Sequence, residues 1–195
     1  HLSELAFSGL GYNPRTATPP CVNDHDAVSG GSSSGAAASV AFGLAPLAIG
    51  SDTGGSVRIP AAWNDLVGLK TTSGRLSLEG VVPLCARFDT VGPLCRSVED
   101  SALALAVLEG SEAADLTNST LERRRFAICD TVALDALRPE PRAAFDMAID
   151  RLRSMGAMVE RIEIPQVQEA LALSGVLFAA EAYGAWKDTI EANPD

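Results

Sequence analysis

Residues 30–61 read GGSSSGAAASVAFGLAPLAIGSDTGGSVRIPA. Two Gly/Ser clusters, residues 30–35 and 50–56, bracket this stretch. Between them lie two apolar segments. Residues 36–42 are rich in Ala, the strongest helix former, and follow directly on a Gly/Ser loop, so they predict a helix. Residues 44–49 form a short apolar run bounded by turn residues and predict a buried strand. After Ser56 a short helix is expected, because Pro60 is tolerated only near a helix's first turn. A helix–strand unit flanked this way can bring both Gly/Ser loops to one edge of a sheet, which makes the fold α/β.

Working outward, residues 2–10 predict a short helix start, and residues 11–29 are a loop dense in Pro, Asn, Asp and Thr. Residues 65–70 predict a short apolar strand. A helix is expected over 98–108, capped by Ser97 with Asp100 near its start and stopped by Gly110. A polar linker spans 110–122, and the pattern then changes to strand, helix, strand, helix. The strands fall at 125–129 and 158–164, the helices at 139–155 and from Gln166 to about Glu191. The division expected is therefore a core over 1–110 and a peripheral segment over 111–195. The chain starts at His1 without Met and stops at Asp195 in what reads as a helix, so it is expected to be part of a larger domain.

Composition narrows the function. The 195 residues are 47% hydrophobic, 21% charged and only 5% aromatic, which suits a globular α/β core with close helix–strand packing. A net charge of −10 opposes a nucleic-acid surface, and the basic run Arg123–Arg125 reads as a solvated strand entry. There is no signal peptide and no apolar run of membrane-spanning length. Cys21, Cys85, Cys95 and Cys129 lack metal-site spacing and read as buried free thiols of a cytoplasmic protein.

The Gly/Ser clusters admit several chemistries. A linker is disfavoured, because apolar segments follow each cluster at once. Gly-rich loops before helices can bind anions, but neither cluster has the Lys-Ser/Thr of a P-loop or a dinucleotide-binding spacing. In Asp52-Thr-Gly-Gly-Ser56 the glycines leave backbone N–H groups unshielded beside a serine, as an oxyanion hole requires. Such a serine needs a base. The two histidines are His1 and His25. His25 stands between Asp24 and Asp26 in a polar loop, where a solvated side chain is expected, and no Gly-x-Ser-x-Gly elbow surrounds Ser56.

Residues 30–61 resemble the signature of the amidase signature family, and the match covers both serine clusters at the family's spacing. The flanks agree: ELAFSGLG from Glu4, GLKTT from Gly68, Ser73-Gly-Arg and DTVGPL from Asp89. The resemblance is close over residues 2–110 and loose beyond. It implies an amidase-signature fold, a mixed twisted sheet covered by helices on both faces, of which this chain holds only part. It also implies a Ser–cis-Ser–Lys triad. Ser56 matches the nucleophile, and Ser32 the bridging serine, preceded by a cis peptide bond at Gly31–Ser32. Thr53, Gly54, Gly55 and Ser56 match the oxyanion-hole donors. Asp52 and Arg58 match a bracing pair, and Ser33 a loop-holding hydrogen-bonder.

The family's lysine belongs to a segment upstream of Ser32 that this chain does not contain. Of the two lysines present, Lys70 matches a structural position and Lys187 lies on a distant helix. These residues alone are thus expected to be inactive, and the parent protein active. The resemblance implies amide hydrolysis through a serine acyl-enzyme on a small-molecule amide. It implies no metal, no organic cofactor, no direct nucleic-acid contact and no membrane, and it admits a homodimer. The alternative is the A-type chain of a tRNA-dependent amidotransferase, working with partner subunits; such chains commonly have Gln at the position of Ile59. A non-catalytic protein on the same fold is the third reading.

Overall fold

The computed structural model describes residues 1–135 and 137–193. These form two compact units, His1–Asp115 with Ala180–Asp195, and Leu116–Ala179. The expectation of helix at Asp195 falls outside the described residues.

In the first unit, helix α1 (Ser34–Ala41) leads into strand β1 (Leu47–Asp52), then helix α2 (Arg58–Trp63) and the two-residue strand β2 (Val67–Gly68). Strand β3 (Thr90–Cys95) and helix α3 (Val98–Glu109) follow. The three strands form one sheet in the order β1-β3-β2, antiparallel throughout. Ala37, Val57, Ala61 and Leu94 form the core that joins α1 and α2 to this sheet. Leu94 and Val57 are fully buried.

The elements differ from expectation in several places. Residues 2–10 yield only a 3-10 turn at Glu4–Ala6, because Leu5 and Ala6 take positive φ values of 48° and 58°. Helix α1 starts two residues early, with Ser33 as N-cap. Strand β1 starts later than expected. The N–H groups of Leu44 and Ala45 are drawn back to the Ser39 carbonyl, at 2.8 and 3.0 Å, to close the helix. β1 is also only half buried: Leu47 and Ile49 are exposed, while Gly50 and Asp52 face inward. Helix α3 matches its expected span. Ser97 Oγ accepts from Asp100 N–H at 3.0 Å, and Gly110 closes the helix in the left-handed region at φ 66°.

Strand β3 is not expected from its sequence, because TVGPLC carries the two residues that most oppose a central strand. Both fit because of the neighbouring strand β2 and the residue that follows it. β2 ends at Gly68, so Pro93 supplies only its carbonyl on that side, accepting Leu69 N–H at 3.1 Å. Gly92 permits a close backbone approach: a Cβ there would stand 1.9 Å from the Leu69 carbonyl oxygen.

The second unit contains strand β4 (Arg125–Asp130), helix α4 (Pro139–Ser154) and strand β5 (Met158–Glu163), with β4 and β5 paired in parallel. A helical crossover is what a parallel pair requires. Ile128 and Ile149 are buried between strand and helix. Helix α5 (Gln166–Ala192) follows. Among the described residues no helix is long and apolar enough to cross a membrane. Cys21, Cys85 and Cys95 are buried free thiols as expected, whereas Cys129 is exposed.

Gly92→Ala is expected to destabilise the protein by about 1–3 kcal/mol, since the new methyl meets backbone that cannot yield. A denaturant midpoint equal to that of the unsubstituted protein would refute this close approach.

Candidate active site

The site grows from the inward end of β1. Asp52 is the last residue of that strand and is fully buried. Its Oδ1 accepts from Gly55 N–H at 2.8 Å and from Arg58 Nη2 at 2.9 Å. Its Oδ2 accepts from Val57 N–H at 3.1 Å, Arg58 N–H at 3.3 Å and Arg58 Nε at 3.0 Å. One carboxylate thus closes the turn 52–58 and holds the first turn of α2. Burial pushes the Asp52 carboxyl up. The Arg58 hydrogen bond, the Val57 N–H and the Arg58 charge outweigh it and hold the carboxyl below its ordinary value. Arg58 is pushed up in turn by its hydrogen bond to Asp52.

Gly55 has φ +131°, and a Cβ on it would stand 2.8 Å from Ile59 Cδ1, so the turn requires glycine there. Ser56 is 8% exposed. Of the four N–H groups expected in an oxyanion hole, that of Gly55 is engaged by Asp52. The N–H groups of Gly54 and Ser56 have no hydrogen-bond acceptor among the described residues.

The second loop meets this turn directly. Ser33 N–H donates to the Ser56 carbonyl at 3.2 Å. Ser33 Oγ donates to the Ser51 carbonyl and accepts from Ser51 N–H, both at 3.2 Å. That double contact explains why Ser33 makes no side-chain cap for α1 although it occupies the N-cap position. The Gly31–Ser32 peptide bond is cis. The Ser32 carbonyl accepts from Ser34 N–H at 2.8 Å and Ser3 N–H at 3.3 Å. Ser32 itself is fully buried, and its hydroxyl has no partner among the described residues. A buried hydroxyl left unpaired is destabilising by about 1–3 kcal/mol, so it is a feature to be explained by function.

The other candidates lie elsewhere in chemistry. His25 is exposed, and its ring stands 5.6 Å from that of Phe42. Lys70 Nζ donates to the Thr71 carbonyl at 2.5 Å, and Lys187 pairs with Glu191 at 4.0 Å. Among the described residues no group of His, Cys, Asp and Glu could hold a metal ion. The second unit has an open depression of about 500 Å³. The two arginines lining it are already engaged: Arg161 with Asp130, Arg142 with the Leu134 carbonyl.

Two supporting residues are not evident from the sequence. Asn64, 1% exposed, donates to the carbonyls of Ser29 (2.7 Å) and Pro60 (2.8 Å) and accepts from Val22 N–H at 2.9 Å. It ties the start of the Ser32 loop to α2. Asp89, 5% exposed, accepts from Thr53 Oγ1 at 2.5 Å. An acid opening the otherwise uncharged run DTVGPL is the available signal for Asp89. A lone Asn in a turn offers none.

The chain matches the model of the family described as Amidase over residues 1–194. It is 36% identical over 198 residues to the A-type chain of the glutamyl-tRNA(Gln) amidotransferase of Staphylococcus saprophyticus, covering 93% of this chain and 40% of that one. It is 42% identical over 175 residues to the 2-amino-5-chloromuconic acid deaminase of Comamonas testosteroni, covering 87% of this chain and 38% of the relative. A crystal structure of an amidase superposes with a TM-score of 0.89 at 32% identity, covering 99% of this chain and 44% of that one. The chain therefore belongs to the Amidase family and has its amidase-signature α/β fold, of which it is a part. It spans about 40% of the length of the curated relatives it matches.

Arg58→Ala is expected to destabilise the protein by about 1–3 kcal/mol, the lower part of the range being set by the half-exposed arginine. Because the folded Asp52 carboxyl lies below its ordinary value of 3.8, it contributes stability above that pH and loses it as pH falls through the depressed value. Removing Arg58 leaves burial to push the carboxyl up, so acid unfolding should begin at higher pH than in the unsubstituted protein. Circular dichroism against pH reads this directly, and an unchanged acid midpoint would contradict the bracing role.

Proposed function

We propose that the protein of which this chain is part is an amide hydrolase that works through an acyl-enzyme on Ser56. The observation that carries the reading is the meeting of two Gly/Ser loops. Ser56 is almost buried beside N–H groups that have no acceptor among the described residues, and Ser33 N–H joins that turn to the loop bearing a buried Ser32 hydroxyl with no partner among the described residues.

In this reading Ser56 Oγ attacks the amide carbonyl, and a C–O bond forms. The Ser56 proton passes to the Ser32 hydroxyl, which passes its own proton to an unprotonated lysine outside this chain. The charge on the tetrahedral oxygen is met by the N–H groups of Thr53, Gly54 and Ser56, with Gly55 braced through Asp52. The C–N bond then breaks, and the proton returns along the same path to the leaving ammonia or amine. Water reverses the sequence and releases the carboxylate. The substrate is a small-molecule amide, the setting cytoplasmic, and a homodimer is a permitted assembly.

A second reading, the A-type chain of a tRNA-dependent amidotransferase with partner subunits, is supported by 36% identity to such a chain. Ile59 weighs towards the stand-alone hydrolase. Its side chain stands against Gly55, where the amidotransferase chains commonly carry an amide.

The test is covalent labelling of the full-length protein by a fluorophosphonate. Ser56→Ala is expected to abolish labelling, and Ser32→Ala to slow it by about 10²–10⁴-fold, the usual worth of a proton relay. His25→Ala should leave the rate unchanged. Labelling that survives Ser56→Ala would refute the nucleophile.

A further inference from the structure

Asp89 lies outside the proposed proton path, yet its carboxylate is buried and touches the oxyanion turn. Oδ1 accepts from Thr53 Oγ1 at 2.5 Å. The same carboxylate accepts from Leu84 N–H at 2.9 Å and from Cys85 N–H at 3.0–3.1 Å. The next residue repeats the tie: Thr90 Oγ1 donates to the Asp52 carbonyl at 2.7 Å. So both ends of the Asp52–Thr53 peptide segment are held by one two-residue step at the start of β3.

The segment before Asp89 is itself anchored. Glu181, on the part of α5 that belongs to the first unit, accepts from Arg87 Nε at 2.6 Å, from Arg87 N–H at 3.1 Å and from Cys85 Sγ at 3.3 Å. Trp186 Nε1 donates to the Pro83 carbonyl at 2.9 Å. Burial pushes the Cys85 thiol up, and the neighbouring Glu181 adds to it, so the thiol serves here as a donor and not as a nucleophile. A loop that α5 holds at Pro83, Cys85 and Arg87 thus donates two N–H groups to the Asp89 carboxylate, which also accepts from the hydroxyl next to Gly54.

We propose that Asp89 is a positioning residue for the oxyanion turn: by holding the Thr53 hydroxyl it fixes the direction of the N–H groups at Gly54 and Ser56. This rests on the acyl-enzyme reading of Ser56. Gly54 has nothing within 4 Å of where a Cβ would be, so its own packing does not orient it. Orientation must come from neighbours in the chain. Asp52 holds the turn at Gly55 and beyond, and Asp89 holds it at Thr53, leaving Gly54 between two fixed points. A donor displaced by about 1 Å can lower the rate of a chemical step by about a hundredfold.

The experiment compares fluorophosphonate labelling of the full-length protein, read as kinact and KI, for Thr53→Val, Asp89→Asn, the double variant and Thr53→Ser. Thr53→Val removes only the hydroxyl and leaves the Asp89 bonds to Leu84 and Cys85 in place, so it carries the test even where Asp89→Asn fails to fold. Thr53→Val and Asp89→Asn are each expected to lower kinact by about ten- to a hundredfold, with KI within about twofold. The double variant should fall no more than about threefold below Asp89→Asn, because both changes act on the same Thr53–Asp89 contact, which the neutral amide weakens and the valine removes. Thr53→Ser, which keeps the hydroxyl, should label at least about fivefold faster than Thr53→Val. A Thr53→Val kinact equal to that of the unsubstituted protein, losses that multiply in the double variant, or losses confined to KI would each overturn the proposal. If the unsubstituted full-length protein is not labelled at Ser56, the acyl-enzyme reading fails and takes this one with it. If it is labelled and Thr53→Val is unaffected, only the positioning role fails.

Discussion

Five hydrogen bonds converge on the buried carboxylate of Asp52, and the rest of the site depends on them. A buried carboxylate is tolerated only when its lone pairs are met by donors and its charge by a cation. Backbone N–H groups of the following turn and the Arg58 guanidinium satisfy both conditions. The effect is to convert a Gly-rich segment, which would otherwise sample many conformations, into a fixed turn ending in a helix. Ser56 is placed by that turn. The N–H groups of Gly54 and Ser56, which the carboxylate does not take, have no acceptor among the described residues.

The neighbouring loop is held by similar means and different residues. Ser33 clamps the backbone of Ser51 from both sides, and Asn64 fixes the Ser29 carbonyl at the loop's start. Neither contact is strong alone, since a neutral hydrogen bond contributes about 1 kcal/mol net. Their value lies in register. They leave Ser32 buried, its hydroxyl without a partner among the described residues, next to a turn whose serine carbonyl accepts from Ser33. A rigid scaffold of small residues explains the low aromatic content: Ala and Gly predominate where α1, β1 and the two loops approach closely.

Much of this is legible in the sequence because it is local. The Gly/Ser clusters, the Ala-rich helix between them, the Ser97 cap and the Gly110 stop each follow from the preferences of a few adjacent residues. What escapes is non-local. Strand β3 hides behind Gly92 and Pro93, which are acceptable only because β2 stops at Gly68 and the Leu69 carbonyl needs room. Asn64 and Asp89 act on segments 35 and 36 residues distant in the chain, and no periodicity reports such a contact. The helix expected over residues 2–10 shrinks to one turn, since Leu5 and Ala6 take backbone conformations that a helix excludes. The serine pair, with Asp52, Arg58 and Ser33 around it, is visible through a family pattern, whereas the supporting roles of Asn64 and Asp89 become visible only in three dimensions.

The proposed nucleophilic role of Ser56 is tested most directly by where the full-length protein becomes covalently modified. Treating it with a fluorophosphonate, digesting with trypsin and sequencing the adduct by mass spectrometry should place the added mass on Ser56, within the peptide that ends at Arg58. An adduct on another serine of that peptide, or on a residue outside it, would contradict the assignment of Ser56 as nucleophile.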